Sequence, residues 1–404
     1  SIYTENGKFV SDTKVKIDGG ETEREVMTDQ SGKYTFSNLA KLNDYEIKPE
    51  KNTGHLDGIT TLDLVIMQRH ILGLKTLDSP YKLIAADINN SKSVTAADLV
   101  ELRKVVLGVE SEFRFNTSWR FVDAAHKFAD TKEPWIFSSK MQYNNLDQNM
   151  KKSDFIAIKI GDVNGSISEK LTQQTANRTA DKWLMNIEDV RVSTGEIVVV
   201  PVYSDMMDQL SGVQWTMEVK PGLVYIGVEA AAYGVKDENI GILEKNGKQY
   251  ITIAYHHTND IDNTTRKELF NLVFVANKNA DLSSLLKFSG DITPALAITK
   301  GLEEKSIGFS FTTKVPDEAF INQNQPNPFR GETVIQMSLK KPSTTQITIY
   351  DAKGSAVYSG VENLSSGNQS IIIGSKHLGN QTGIFYCKIK NNEVSKVIKM
   401  LRIE

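Results

Sequence analysis

Thr60-Thr-Leu-Asp-Leu-Val-Ile-Met-Gln-Arg-His-Ile-Leu-Gly73 and Thr95-Ala-Ala-Asp-Leu-Val-Glu-Leu-Arg-Lys-Val-Val-Leu-Gly108 are one pattern written twice, 35 residues apart. Thr, Asp, Leu, Val, Leu and Gly recur in register, and Arg69 is matched by Lys104. A fixed-period repeat of this kind marks a duplicated supersecondary unit. Each copy predicts a short helix. Thr60 and Thr95 are suited to cap its start, because a hydroxyl can accept from a backbone N–H two or three residues on. Leu64, Met67, Ile71 and Leu99, Leu102, Val106 recur at helical spacing and give each helix an apolar face. Gly73 and Gly108 stand where a left-handed residue ends a helix.

Upstream of the second helix lies Asp87-Ile-Asn-Asn-Ser-Lys-Ser-Val-Thr-Ala-Ala-Asp98. Numbered from one to twelve, it puts side-chain oxygens at positions one (Asp87), three (Asn89), five (Ser91), nine (Thr95) and twelve (Asp98). Position seven, Ser93, offers its carbonyl. This is the ligand spacing of a loop–helix calcium site, and Ca²⁺ requires hard oxygen donors. Lys92 occupies position six, where glycine eases the turn, and only two ligands carry charge, so the expected affinity suits millimolar extracellular calcium.

Two loop–helix units ending in Leu-Gly resemble a type I dockerin, the small calcium module that docks onto cohesins. The first loop departs from that pattern. Counting back from Asp63 puts Asn52, Gly54 and Leu56 at positions one, three and five, and Leu56 cannot ligate, so a first site would have to recruit other oxygens such as Asp57. Further on, Ser153 to Gly165 reads as a worn third copy: a serine cap, an apolar two-turn helix and a closing glycine. Asp162-Val-Asn164-Gly repeats the opening of a calcium loop, but Gln173 stands at its twelfth position. Asp63, Asp162 and Asn164 are therefore secondary calcium candidates beside Asn52 and Asp57, with a helix cap and turn as the competing reading of Asp162-Val-Asn164.

The chain of 404 residues is long enough for two to four domains. Its net charge of −3 gives no nucleic-acid signal, and no apolar run approaches the roughly 20 residues that span a bilayer. Cys387 is the only cysteine, so no intrachain disulfide is available. The sequence opens at Ser1 without a signal peptide, and the expectation is a processed or C-terminal portion of a longer protein.

The expected fold class is multidomain and mainly β: three β-sandwich modules, with one small helical calcium module between the first and second. Residues 1–49, with Val15-Lys-Ile17, the turn Thr28-Asp29-Gln-Ser-Gly32, Tyr34-Thr-Phe36 and Tyr45-Glu-Ile47-Lys-Pro49, resemble a carboxypeptidase-regulatory-like or Cna-B-like sandwich lacking some strands. Residues 50–166 hold the dockerin-like module and its extension, in which Trp119 and Trp135 are expected to cover the helical core. Residues 167–182 read as a polar linker. Residues 183–313 carry strands such as Glu196-Ile-Val-Val-Val-Pro-Val202 and Gly212-Val-Gln-Trp-Thr-Met-Glu-Val219, and their order resembles a cohesin. Tyr255-His-His-Thr-Asn-Asp260-Ile-Asp262 suggests a metal, but adjacent histidines on a strand face opposite ways, which favours a polar strand end.

Residues 316–404 contain Asn324-Gln-Pro-Asn-Pro-Phe329, then Ile349-Tyr-Asp-Ala-Lys-Gly354, then Gly383-Ile-Phe-Tyr386. In that order they resemble the type A sorting domain of type IX secretion. The resemblance implies that Pro326, Asn327, Pro328, Phe329, Tyr350, Asp351, Gly354 and Gly383 belong to a sorting signal read by the outer-membrane translocon. It implies a protein secreted by, or displayed on the outer surface of, a Gram-negative bacterium.

No nucleophile elbow, phosphate loop or zinc spacing is present, so a non-enzymatic role is expected. The leading expectation is a secretion-competent stalk stiffened by Ca²⁺. The alternatives are a cohesin–dockerin binding module, pairing between chains into an extracellular assembly or fibre or within one chain as a folded-back lock, and a set of accessory domains for an upstream enzyme or adhesin.

Overall fold

The computed structural model describes residues 1–167, 183–204, 209–257, 268–312, 319–364 and 367–403. The protein is multidomain and mainly β. It separates into two compact units, the first of Ser1–Asn186, Ser193–Asn279 and Ser284–Ser310, the second of Ile187–Val192, Ala280–Ser283 and Phe311–Glu404.

The first unit opens with β1 (Ile2–Thr4), β2 (Lys14–Gly19), β3 (Thr22–Met27) and β4 (Tyr45–Glu50). These strands are completed by β5 (Trp119–Asp123), β6 (Met141–Tyr143) and β7 (Phe155–Lys159). One sheet runs β3-β2-β4-β6 and the other β1-β7-β5, with β1 parallel to β7. Ile2, Val15, Ile17, Tyr45, Ile47, Trp119, Phe121 and Phe155 share their core. The boundary expected at residue 49 is thus corrected: the first sandwich is interrupted by the helices, and its further strands follow them. Trp119 belongs to this sandwich core rather than to the helical one. The third helix expected at 153–161 is also corrected, because Phe155-Ile-Ala-Ile-Lys is β7 with every residue buried. A short continuous apolar run fits a central strand and a buried helix equally well.

Between β4 and β5 stand α1 (Thr61–Ile71), α2 (Pro80–Ala86) and α3 (Ala96–Val106). Both repeat helices carry the expected threonine caps. Leu64, Met67, Ile84, Leu99, Leu102 and Val106 close a helical core. Gly73 and Gly108 have φ of 69° and 73°, the left-handed conformation that ends each helix.

The second sandwich comprises β8 (Trp183–Glu188), β10 (Ile197–Ser204), β11 (Leu210–Val219), β12 (Leu223–Ala230), β13 (Ile240–Lys245), β14 (Lys248–His256), β15 (Glu268–Ala276), β17 (Leu286–Ser289), β18 (Leu296–Thr299) and β19 (Glu304–Thr312), while β9 (Arg191–Val192) and β16 (Ala280–Asp281) fall in the second unit. The strand path is β12-β15-β10-β8-β19-β18-β11-β14-β13, with β17 also on β11, while β9 and β16 pair with each other. Trp215 of β11 stacks on Phe270 of β15 with ring centroids 5.6 Å apart, which fills the space between the layers. Residues 168–182 of the expected linker, and Asp260 and Asp262, lie outside the described residues.

The C-terminal unit is built from β20 (Phe320–Ile321), β21 (Thr333–Leu339), β22 (Ser343–Asp351), β23 (Ala356–Leu364), β24 (Gly367–Ile373), β25 (Gly383–Lys390) and β26 (Ser395–Arg402). Sheets β20-β21-β24 and β23-β22-β25-β26 enclose Ile335, Ile347, Ile349, Phe385, Cys387 and Ile398. Burial pushes the Cys387 thiol up to about 12, so it stays protonated and behaves as an apolar filler.

Candidate metal loops and docking face

The contiguous loop wraps around two carboxylates. Asp87 accepts the Ser91 N–H at Oδ1 (2.7 Å) and the Lys92 N–H at Oδ2 (3.0 Å). Asn89 Oδ1 accepts the same Ser91 N–H at 3.0 Å. Asp98 accepts the Asn89 N–H at Oδ1 (3.1 Å) and the Thr95 N–H at Oδ2 (2.9 Å). Lys92 takes φ 65°, the conformation that glycine holds at this position, so the departure from the usual residue leaves the turn intact. Asp87 and Asp98 are both fully buried. Burial raises the Asp87 carboxyl above its usual range, against the pull of its two backbone donors.

The first repeat has no such contiguous loop. Asn52 accepts the Ser118 N–H at 2.7 Å and Asp57 is exposed, so neither joins Asp63, and the reading of Asn52 and Asp57 as ligands is corrected. Two of the partners of Asp63 come from about a hundred residues away. Its Oδ1 accepts the N–H groups of Val163 (3.0 Å) and Asn164 (3.3 Å), while Oδ2 accepts that of Thr60 (2.9 Å). Asp162 accepts Ser166 N–H at Oδ1 (3.0 Å) and Ile167 N–H at Oδ2 (2.9 Å), and Asn164 Oδ1 accepts Ser166 N–H at 2.8 Å.

Position by position this is the loop at 87–98 again. Asp162, Asn164 and Ser166 match Asp87, Asn89 and Ser91; Thr60 and Asp63 match Thr95 and Asp98. Ser166 Oγ reaches the Gly58 carbonyl (2.6 Å), the counterpart of the Ser93 carbonyl near Ser91 Oγ (3.4 Å). The split loop therefore offers two carboxylates, an amide, two hydroxyls and a main-chain carbonyl. Asp63 is fully buried and Asp162 is 6% exposed. Desolvation, and for Asp63 also the neighbouring Asp162 charge, push both carboxyls up, Asp162 to about 6. The Lys159 charge partly opposes this at Asp162, while its ammonium donates to the His55 and Ile160 carbonyls. Two buried like charges are costly unless a cation joins them, so the donor set fits a hard divalent ion.

The end of α1 that closes the split loop also rests on the second sandwich. Thr61 N–H donates to Gln214 Oε1 (2.6 Å), and Thr60 Oγ1 donates to Glu304 (2.6 Å). Gln214 is fully buried and held by Thr293 Oγ1 at 2.8 Å. Leu62 and Val65 pack on Ile298, with Ile66 and Leu302 at the rim. The C-terminal end of α3 meets the same sheet, where Thr252 Oγ1 donates to the Leu107 carbonyl (2.6 Å) and Arg103 lies 3.6 Å from Glu238. A Cβ on Gly241 would stand 3.0 Å from that carbonyl, so glycine permits the close approach.

His256 lies at this face with its Nδ1 buried and without a hydrogen-bond partner among the described residues. Burial, then the nearby Arg103 and His257 charges, depress it to about 3. A histidine depressed in the folded state contributes stability that is complete above about pH 6.5 and is lost as pH falls toward the folded value. Between pH 7 and 5 the first unit is expected to lose on the order of 2 kcal/mol through this group. Urea unfolding of His256→Gln across that range should remove this part of the slope; an unchanged slope would assign it elsewhere.

In the C-terminal unit, Asn327 ties the start of the unit to its last strand. Its Oδ1 accepts the Leu401 N–H (2.8 Å) and its Nδ2 donates to the Lys399 carbonyl (3.0 Å). Phe329 continues the ladder with N–H to Leu401 O (3.0 Å), and its ring is 1% exposed. The peptide bonds before Pro326 and Pro328 are cis. Asp351 Oδ1 accepts the Lys353 and Ser355 N–H groups, both at 2.9 Å, around Gly354 at φ 86°. Gly383 has φ 118°. The family described as the secretion system C-terminal sorting domain matches residues 325–404.

This segment is a sorting domain. The protein that carries it is secreted or exposed at the cell surface and engages a secretion system. Because Phe329 joins the ends of the sorting domain in its core, Phe329→Ala should destabilise that unit by about 3–5 kcal/mol, measured as the loss in its denaturant midpoint. A change below about 1 kcal/mol would mean that the ring is not a core element.

No curated protein matched the chain. Among solved structures, the sixth cohesin of scaffoldin B from Acetivibrio cellulolyticus, in complex with a mutant dockerin, is similar at 21% identity and a TM-score of 0.25, over 32% of this chain and 95% of that chain. A type I cohesin–dockerin complex from Clostridium thermocellum gives 14% identity and a TM-score of 0.26, over 32% and 94%. A type I cohesin from Pseudobacteroides cellulosolvens gives 18% and 0.22, over 33% and 89%. Among the described residues, no helix is long and apolar enough to cross a membrane.

Proposed function

We propose that this chain is a non-catalytic stalk of a Gram-negative bacterium, exported through its sorting domain by type IX secretion and braced by two calcium ions. One ion is held by Asp87, Asn89, Ser91, the Ser93 carbonyl, Thr95 and Asp98. The other is held by the split set of Asp162, Asn164, Ser166, the Gly58 carbonyl, Thr60 and Asp63. When bound, each ion supplies charge neutralisation to a pair of buried carboxylates. The dockerin-like helices are docked on the cohesin-like sandwich of their own chain, the folded-back alternative that the sequence resemblance leaves open.

Asp63 carries this reading. It caps α1, meets the segment that follows β7, and adjoins the Thr61 N–H that reaches Gln214. A cation at that carboxylate ties the first sandwich, the helices and the second sandwich together. Because it binds the folded arrangement and not the unfolded chain, it stabilises all three.

Calorimetric titration of the whole chain should find two calcium ions per chain, and sedimentation should find a monomer with calcium and with chelator. One ion would remove the split loop from the proposal, none would end the calcium reading, and a calcium-dependent dimer would replace internal docking with pairing between chains.

A further inference from the structure

The exposed face of β22, β25 and β26 in the sorting domain has an unusual composition. Strand alternation puts Phe385, Cys387, Ile389, Ile398 and Met400 into the core and the residues between them outside. Tyr350 pairs directly with Tyr386, and Tyr386 with Lys399. The next row is Thr348, Lys388, Val397, then Gln346, Lys390, Ser395, and on the other side Ile384 pairs with Leu401. Ile384, Tyr386 and Val397 are 37%, 38% and 57% exposed. No Asp or Glu stands in these rows. The whole segment 319–404 holds ten Lys and Arg against five Asp and Glu, in a chain whose net charge is −3.

We infer that this face rests on an anionic lipid surface. It is a sheet face rather than a cleft, its charge is of one sign, and its apolar side chains alternate with Lys388, Lys390 and Lys399. The choice of residue decides between a bilayer and an acidic protein. Lysine is depleted at protein interfaces, where arginine is favoured. Tyrosine and lysine together are what an apolar–polar boundary selects, the ring lying at headgroup depth and the long stem carrying its ammonium out to the phosphates. Each lysine close to an anionic membrane strengthens binding by about fivefold, so Lys388, Lys390 and Lys399 together provide about a hundredfold preference for charged over neutral bilayers.

The test is flotation of the whole chain with vesicles of phosphatidylcholine alone or with about one third phosphatidylglycerol. The expected result is binding to the charged vesicles that is lost in 0.5 M salt, where the Debye length falls to about 4 Å from about 10 Å at 0.1 M. The triple variant Lys388→Gln, Lys390→Gln, Lys399→Gln should bind about a hundredfold more weakly. The double variant Lys340→Gln, Lys341→Gln, in the turn before β22, should bind like the parent. Equal binding to neutral vesicles, no loss in the triple variant, or retention on immobilised polyglutamate without vesicle binding would each overturn the inference, the last in favour of an acidic protein partner.

Discussion

Chelating calcium from the whole chain will lower the melting temperature of the first unit by about 6 °C, and the shift will divide between two sites. At free calcium about twentyfold above Kd, each site adds about 2 kcal/mol, which in a unit of about 300 residues moves the midpoint by roughly 3 °C. Asp98→Asn removes the contribution of the contiguous loop. Asp162→Asn removes that of the split loop, although residue 162 is about a hundred positions from the α1 cap it serves. The informative quantity is the difference between calcium and chelator within each variant, because the substitution also removes one acceptor for a backbone N–H, worth about 1 kcal/mol. In chelator that loss is opposed by relief of charge, since Asp63 and Asp162 face each other in a dry site. Asp162→Asn should therefore cost far less without calcium than with it. Equal costs in both conditions would show that no ion occupies the split loop.

The halves of that loop were visible in the sequence, but their union was not. The first repeat has a capping threonine and a twelfth-position acid, Asp63, without ligands ahead of them; the segment at Asp162 has positions one, three and five without an acid behind them. Along the chain, neither half completes a loop by itself. The fold joins them because the first sandwich is interrupted: β7 returns beside β1 and delivers Asp162 to the start of α1. The complementary defects, one copy lacking its front and another its back, were the signal that could have found the site. The helix repeat, its caps and the contiguous loop were legible because all their determinants lie within one turn or one loop. The strand at 155–159 was not, because five consecutive buried residues have no period to read. The interruption of the first sandwich was hidden too, since pairing of β4 with β6 depends on contacts across about a hundred residues.

The docking face offers a test inside the repeat itself. Val65 and Val100 occupy the same position in the two copies. Val65 is fully buried against Leu62 and Ile298, whereas Val100 is 46% exposed. The surrounding residues diverge in the same sense, with Leu62 and Ile66 in the docked copy where the other has Ala97 and Glu101. Val65→Asp places a carboxylate in an apolar contact with no basic partner, and should cost about 3–5 kcal/mol. Val100→Asp should change stability by less than about 0.5 kcal/mol. Hydrogen exchange adds the location: in the Val65 variant, amides of α1, β11 and β18 should lose protection together, while the helical core around Leu99 and Leu102 keeps more of its own. If both variants cost the same, the two copies are equivalent and neither is committed to the sandwich of its own chain. If only Val65→Asp is costly and the chain stays monomeric throughout, the first helix is spent on an internal contact, and any partner chain must be met by the face that carries Val100.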